Sequence, residues 1–394
     1  MSFYSKDDIV SIVPLAEYDM QAARAALEGL LCPLGGLDFV KEGMHVVIKA
    51  NLVSAMKPEE SATTHPVLLS ALCDMLKERG ARVTLGDSPG GLYNSAFVGR
   101  VYRVTGMTSL VDHGARLNDD FTEATATFDE AKVLKTFSYT AYLDKADVII
   151  NFSKLKSHGM MNMSCATKNM FGAIPGIIKP EYHYRFPSHS DFANMLVDLN
   201  EYFTPVLSIC DGVVGMEGNG PTAGTPKSIG CLLASRSPYN LDMIAAGILG
   251  FSPEEIPTLV AAKERGYVYD TIAEVPTVHD HSSFIVSDFE RVVAPHSLQF
   301  SGDGKNPIMR LFSKLAGSIL RTKPVVKSNI CVGCGVCRDI CPAKTIVIEG
   351  GKAKIDRSGC IRCFCCQEFC PKSAIKVDRT WIAKLFHKEK KQRD

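Results

Sequence analysis

Short apolar runs alternate with segments of helical period through the first 300 residues. HVVIKANL (45–52) is strand-like, and PVLLSALCDMLKERG (66–80) follows with helical periodicity and a Gly where a helix ends. ARVTLGDSPGG (81–91) is again a strand, closed by a Gly/Pro turn. ADVIINF (146–152), PVLSICDGVVG (205–215) and KSIGCLLAS (227–235) read as buried strands, and LDMIAAGILG (241–250) as a helix stopped by Gly250. Strand, helix and strand in alternation predict an α/β domain with a mostly parallel sheet and flanking helices over residues 1–300.

The pattern changes after residue 300. Residues 301–323 read as a linker with an amphipathic stretch, MRLFSKLAGSIL. A compact module at 324–380 follows, with a basic C-terminal tail at 381–394. Roughly two or three domains fit a chain of 394 residues. With 46% hydrophobic and 22% charged residues the composition is that of a soluble globular protein, and a net charge of +1 predicts no nucleic-acid partner. No apolar run reaches the ~18 residues of a transmembrane segment. MSFYSKDDIVSIVPL lacks the positive start of a signal peptide, so a cytoplasmic location is expected.

Fourteen cysteines sharpen the picture because nine of them fall between Cys331 and Cys370. In a reducing compartment such density points to metal rather than disulfides. The runs are Cys331-x2-Cys334-x2-Cys337-x3-Cys341-Pro342 and Cys360-x2-Cys363-x2-Cys366-x3-Cys370-Pro371, each residue repeated 29 positions later. Ile346 and Ile375 correspond in the same way, which marks an internal duplication. An iron–sulfur cube needs one soft thiolate per iron, and three cysteines at x2 spacing let a tight loop reach three corners. Gly333 and Gly335 allow the first loop to wrap closely. C-x2-C is also zinc spacing. TIVIEGGKAKID reads as a hairpin turning at Gly350-Gly351, with SAIKVD as its counterpart in the second half.

These residues resemble the bacterial dicluster ferredoxins. That resemblance implies a small α+β domain, two 4Fe–4S clusters and one-electron transfer to a redox partner protein. It also implies that the fourth cysteine of each run ligates the other cluster. Cluster I then takes Cys331, Cys334, Cys337 and Cys370, and cluster II takes Cys341, Cys360, Cys363 and Cys366. Cys365 is out of register and reads as a spectator thiol or an alternative ligand. Arg362 stands in the second loop where the first has Gly333, one position from Val332, and a cation there favours the reduced state of cluster II.

Polar residues gather beside the strands of the large domain. Lys49 and Asn51 end one strand, Lys154, Lys156 and His158 follow ADVIINF, and Lys168, Asn169, His183, Asp211 and Asp242 come later, with His65 earlier. Ligands of open α/β sheets bind beyond the carboxyl ends of strands, so Lys49, Asn51, Lys154, Lys156, His158, Lys168 and Asp211 are candidates for holding an anionic small molecule. The strings IKANL, SKLKSHGMMNMSCATKNMFGAIPG and DGVVGMEGNGPTAGTPKSIGCLLASRSPYNLDMIAAGILG resemble domain of unknown function 362, a family that implies an iron–sulfur redox protein and names no substrate. Three functions compete: a ferredoxin-type electron carrier, an iron–sulfur oxidoreductase whose α/β domain transforms an anion, and a metal or cluster assembly scaffold. Convergence of the lysines on one enclosed pocket favours the enzyme, and dispersal over the surface favours the carrier.

Overall fold

The computed structural model describes residues 2–291 and 323–378. The amphipathic stretch expected in the linker and the basic tail lie outside the described residues. In chain order the large domain contributes β1 (Val10–Pro14), α1 (Met20–Leu31), β2 (His45–Lys49), α2 (Pro66–Glu78), β3 (Arg82–Gly86), α3 (Ser95–Val104) and β4 (Ala115–Leu117). A hairpin of β5 (Glu123–Thr127) and β6 (Thr136–Thr140) precedes β7 (Val148–His158) and the short β8 (Asn162–Ser164). Then come α4 (Ala166–Asn169), α5 (Lys179–Arg185), α6 (His189–Phe203), β9 (Leu207–Glu217), β10 (Thr225–Ser235), α7 (Pro238–Ile248) and α8 (Pro257–Glu264).

The central sheet runs β1-β10-β9-β7-β2-β3-β4, with β8 paired to β7. The pairs β9–β7, β7–β2, β2–β3 and β3–β4 are parallel, while β10 and β1 close the edge antiparallel. The expected mostly parallel α/β sheet is therefore present. Alternating side chains feed two apolar layers: Val46 and Ile48 of β2 join the layer of α1, α2 and α3, and Val47 joins that of α6, α7 and α8. Local chemistry sets the helix ends. The His65 side chain accepts from Val67 N with Pro66 at the first turn of α2, and Ser188 and Ser237 cap α6 and α7.

From β2 the chain steps to β3 and β4, then returns to lay β7 on the other side of β2 and proceeds to β9. Strand order reverses between β2 and β7, the position where α/β sheets open a crevice at the strand ends. β7 extends six residues past the expected ADVIINF, so Lys154, Lys156 and His158 lie within the strand rather than after it. Pairing with β9 and β8 carries the backbone through this polar stretch.

In the small module β11 (Lys323–Val326) pairs with β14 (Ile375–Asp378), and β12 (Ile346–Glu349) forms a hairpin with β13 (Lys352–Ile355) through Gly350 and Gly351. SAIKVD thus pairs with the start of the module rather than closing a second hairpin. The duplication extends to backbone conformation. Left-handed residues recur at Gly333 and Arg362 (φ +66° and +59°), Gly335 and Phe364 (+84° and +61°), and Lys344 and Ser373 (+50° and +49°).

Asp198 on α6 anchors the loop before β6. It is buried, accepts from the backbone N–H groups of Lys132, Val133 and Leu134 at 3.0, 2.8 and 2.9 Å, and pairs with Arg265 at 2.7 Å. Asp198→Ala strands three donors and a guanidinium, and a loss of about 3–5 kcal/mol is expected in urea unfolding. A change below 1 kcal/mol would contradict this role.

Candidate functional site

The carboxyl ends of β2, β3, β7 and β9 bring five lysines together with two buried aspartates. Lys49 is fully buried and pairs with Asp87 at 2.9 Å, while also donating to Ala50 O and Asn169 Oδ1. Lys154 stands opposite Asp211 in the β7–β9 register and pairs with it at 2.7 Å. Tyr18 closes that pair, donating to Asp211 Oδ1 at 2.8 Å and accepting from Lys154 Nζ at 2.8 Å. The Tyr18 ring stacks on His65 at 3.6 Å, and His65 N donates to Asp211. Three of the seven candidates, Lys49, Lys154 and Asp211, are therefore occupied by internal ion pairs.

The other cations have only neutral partners. Lys156 donates to Asn51 Oδ1 at 2.8 Å and Ala62 O at 2.6 Å, and Lys179 donates to Ser88 O and Ile174 O, both at 2.6 Å. Asn51 and Lys49 share Asn169 Oδ1, which links the ends of β2 to α4. Asp242 aligns α4 by accepting from Ala166 N and Thr167 N, and burial pushes its carboxyl up to about 6. Among the described residues Lys168 Nζ has no hydrogen-bond acceptor and faces the Phe171 ring at 5.8 Å.

Burial dominates the electrostatics. It pushes Lys156 and Lys179 down to about 7, in Lys156 with the charge of Lys168 adding to the shift. Lys49 is lowered by burial against the pull of Asp87, and Lys168 by burial against Glu368 and Cys365. Burial also holds His183 at about 3 and His158 well below the usual imidazole value, so both rings are neutral. His158 Nδ1 accepts from Met160 N and Met161 N, both at 3.1 Å, which leaves the proton on Nε2. Among the described residues that Nε2–H is buried without a partner, as is His183 Nδ1.

The small module covers this end of the sheet. Gln367 Nε2 donates to Asn219 O and Gly220 O at 2.8 and 3.2 Å, Thr222 Oγ1 donates to Glu368 O at 3.2 Å, and Val377 N donates to Asn219 Oδ1 at 3.1 Å. Phe364 packs against Gly159, next to His158, and Phe369 packs against Gly90 beyond β3. Phe364 is 4% exposed and belongs to the core of the large domain. Residues 364–369 of the second cysteine loop thus rest on loops that follow β3, β7 and β9.

Within the module the cysteines line two hollows. Cys331, Cys334, Cys337 and Cys370 line one, and Cys341, Cys360, Cys363 and Cys366 line the other. Each hollow takes three cysteines from one run and the fourth from the other. Backbone N–H groups reach sulfur symmetrically, from Thr345 N to Cys341 Sγ at 3.4 Å and from Ala374 N to Cys370 Sγ at 3.3 Å. Ala353 N points to Cys331 Sγ at 3.5 Å and, with Gly333 N–H, holds that thiol below its usual value. Four soft donors per hollow, apolar walls and N–H groups aimed at sulfur suit an iron–sulfur cube. Cys365 lines neither hollow and is 1% exposed.

Tyr18, Asp87, Lys179 and Glu368 join the polar cluster without having been expected. Asp87 ends the predicted strand ARVTLGD, a position that could have exposed it. The others meet the cluster only through tertiary packing.

The chain belongs to the family described as Domain of unknown function (DUF362), which matches residues 46–247. Residues 323–371 match the 4Fe-4S dicluster domain, so the module is an iron–sulfur binding domain. A thylakoid-associated protein of Synechocystis sp. is 33% identical over 287 residues, covering 71% of this chain and 86% of that one. Among solved structures, the lactate racemase apoprotein from Thermoanaerobacterium thermosaccharolyticum aligns with a TM-score of 0.40 at 11% identity, over 62% of this chain and 57% of the other. A Thermotoga maritima protein aligns with a TM-score of 0.34 at 11% identity, over 55% of each chain. No helix among the described residues is long and apolar enough to cross a membrane.

Gly172 lies so close to the Lys49–Asp87 pair that a Cβ built there falls on Asp87 Oδ1 and Lys49 Nζ. Gly172→Ala is expected to lower stability by about 1–3 kcal/mol through overpacking of a locked ion pair. Thermal and urea unfolding measure this, and an unchanged midpoint would show that the pair moves freely.

Proposed function

We propose that this protein is a ferredoxin-type electron carrier holding two 4Fe–4S clusters, one on Cys331, Cys334, Cys337 and Cys370 and the other on Cys341, Cys360, Cys363 and Cys366. The observation that carries this reading is the crossed partition of eight cysteines between two hollows. Among the described residues no three His, Cys, Asp or Glu side chains converge on a single metal ion. A tetrahedral zinc site needs such convergence, whereas a four-iron cube bonds each thiolate to a different iron. The clusters supply one-electron chemistry. The protein holds them in apolar hollows with N–H donors directed at sulfur, which favours added charge. Exposed Cys334 and Val332 leave the first loop open to a redox partner protein. We place the protein in the cytoplasm, where its fourteen thiols stay reduced.

A second reading is favoured by one observation. The second cysteine loop rests on the polar strand ends rather than on a bland surface, as expected of an oxidoreductase whose large domain binds an anionic small molecule within reach of the module. Lys156, Lys168, His158 and Asn51 are the residues kept for that role. Lys49, Lys154 and Asp211 serve it by holding the strand ends in place.

Anaerobically purified protein is expected to be brown, with roughly eight irons per chain from two four-iron clusters. With crossed ligands, Cys370→Ser reproduces the electron paramagnetic resonance change of Cys334→Ser, and Cys341→Ser that of Cys363→Ser. Pairing of Cys370→Ser with Cys363→Ser instead, or zinc in place of iron, would overturn the assignment.

Burial raises the Cys360 thiol, and against it the Arg362 backbone N–H and, to a smaller extent, its guanidinium act to stabilise negative charge. Arg362 is left-handed, so Asn is a better replacement than a branched residue. Arg362→Asn is expected to lower the midpoint potential of the second cluster in a spectroelectrochemical titration and leave the first unchanged. Two unmoved midpoints would remove Arg362 from the tuning of the cluster.

A further inference from the structure

We infer that Lys156, Lys168 and the Nε2–H of His158 form a binding site for a small oxyanion, a carboxylate or phosphate, whose wall is completed by the docked second cysteine loop. The site deepens the oxidoreductase reading by naming its residues and ligand class. Four observations converge on it.

The first is the orphaned donor. His158 is 2% exposed, its Nδ1 is filled by two backbone N–H groups, and its Nε2–H has no acceptor. Leaving such a donor unmet is destabilising, and a ligand oxygen removes that cost. The second is Lys168, whose ammonium has no acceptor among the described residues although it lies amid polar groups. Its charge acts on Lys49, Lys156, Lys179, His158 and His183, and α4, which carries it, packs against β7.

The third observation is the charge balance. Asp87 and Asp211 answer Lys49 and Lys154, and the nearby Glu368 of the module is shared among Lys156, Lys168 and Lys179. Three ammonium groups share one carboxylate there, an excess of positive charge that disfavours a cation and fits an oxygen-rich anion. The fourth is access. Lys168 and Asn51 keep partial exposure, so the cluster reaches the surface at these two residues.

The fold explains why the site lies here. β2 supplies Asn51 just past its end, β7 supplies Lys156 and His158, and α4 brings in Lys168, so the donors flank the reversal of strand order. From the module, Phe364 packs beside His158, and Cys365 and Glu368 act on Lys168. An anion bound here and an electron added at the second cysteine set repel each other. Anion affinity and midpoint potential are therefore linked and reciprocal.

The test uses the full chain, purified anaerobically, with iron content measured on each sample. Inorganic phosphate, acetate, pyruvate and succinate are titrated by isothermal calorimetry and by thermal shift. At least one is expected to bind, with affinity reduced tenfold or more in Lys168→Gln and in His158→Phe. Phosphate alone binding assigns the phosphate class, and carboxylates alone the carboxylate class. Circular dichroism and iron content of each variant separate lost binding from lost folding, and Lys156→Met serves if either variant fails to fold. The bound anion is also expected to lower one midpoint potential, a tenfold affinity difference between redox states corresponding to about 59 mV. Absence of binding by all four probes, or binding unchanged in folded variants, overturns the site. Low iron content with intact anion binding counts against the electron-carrier reading alone, so the two failures are distinguishable.

Discussion

Burying an ammonium group in a protein interior is costly unless a carboxylate or a full set of acceptors meets it. Here Lys49, Lys154, Lys156 and Lys179 are buried at one end of one sheet, with Lys168 half-buried among them. Much of the local architecture answers that constraint. Tyr18 crosses from the segment before α1 to close the Lys154–Asp211 pair, and Asn169 joins the end of β2 to the first half of β7 through Lys49 and Asn151. Asp242 fixes α4, which carries Asn169 and Lys168. Two ion pairs satisfy two lysines. In the remaining three, burial brings Lys156 and Lys179 down to about 7 and lowers Lys168, and in each the Glu368 carboxylate helps to hold the positive charge.

The small module supplies that help while its second loop departs from its first. Gly333 and Gly335 turn the first loop at positive φ without steric penalty, and the first loop remains exposed at Val332 and Cys334. At the equivalent points the second loop has Arg362 and Phe364, both left-handed, a conformation that costs roughly 1–2 kcal/mol per non-glycine residue. The side chains account for accepting that strain. Phe364 enters the apolar core of the large domain, and Arg362 places a cation beside Cys360. An ancestral repeat has been split into an outward-facing loop and a docked one.

The duplicated spacing made the two cysteine sets legible from sequence, and the alternation of periods did the same for the sheet, because both rest on local pattern. Element ends were less legible. β7 runs on through SKLKSH since β8 and β9 pair with it, and nothing in the polar residues themselves announces those partners. The candidate lysines were correctly grouped by their place at strand ends, yet Lys154 and Lys156, two residues apart, have different roles. A register shift falls between them, with Lys154 opposite Asp211 and Lys156 turned to Asn51 and Ala62. Such cross-strand pairing is decided by tertiary register, so sequence alone could not separate a lysine in an ion pair from one held by neutral acceptors. Lys179 and Glu368 join the cluster only because the chain folds back on itself.

The crossed cysteine sets bear on how far an event at the strand ends can travel. The short helix Cys365–Glu368 contains Cys366 and follows Cys363 of one set, and Cys370 of the other comes two residues after it. Its flanking rings, Phe364 and Phe369, are both seated on the large domain, at Gly159 and Gly90. A displacement of this helix therefore moves cysteines of both sets at once, whereas uncrossed sets would leave the outer one unaffected. Charge changes at Lys168 act on the same segment through Glu368 and Cys365. The module is thus mechanically and electrostatically joined to the polar strand ends at the helix where its two halves meet. That junction gives the large domain a direct means of influencing an iron–sulfur module that looks, by sequence, like an independent appendage.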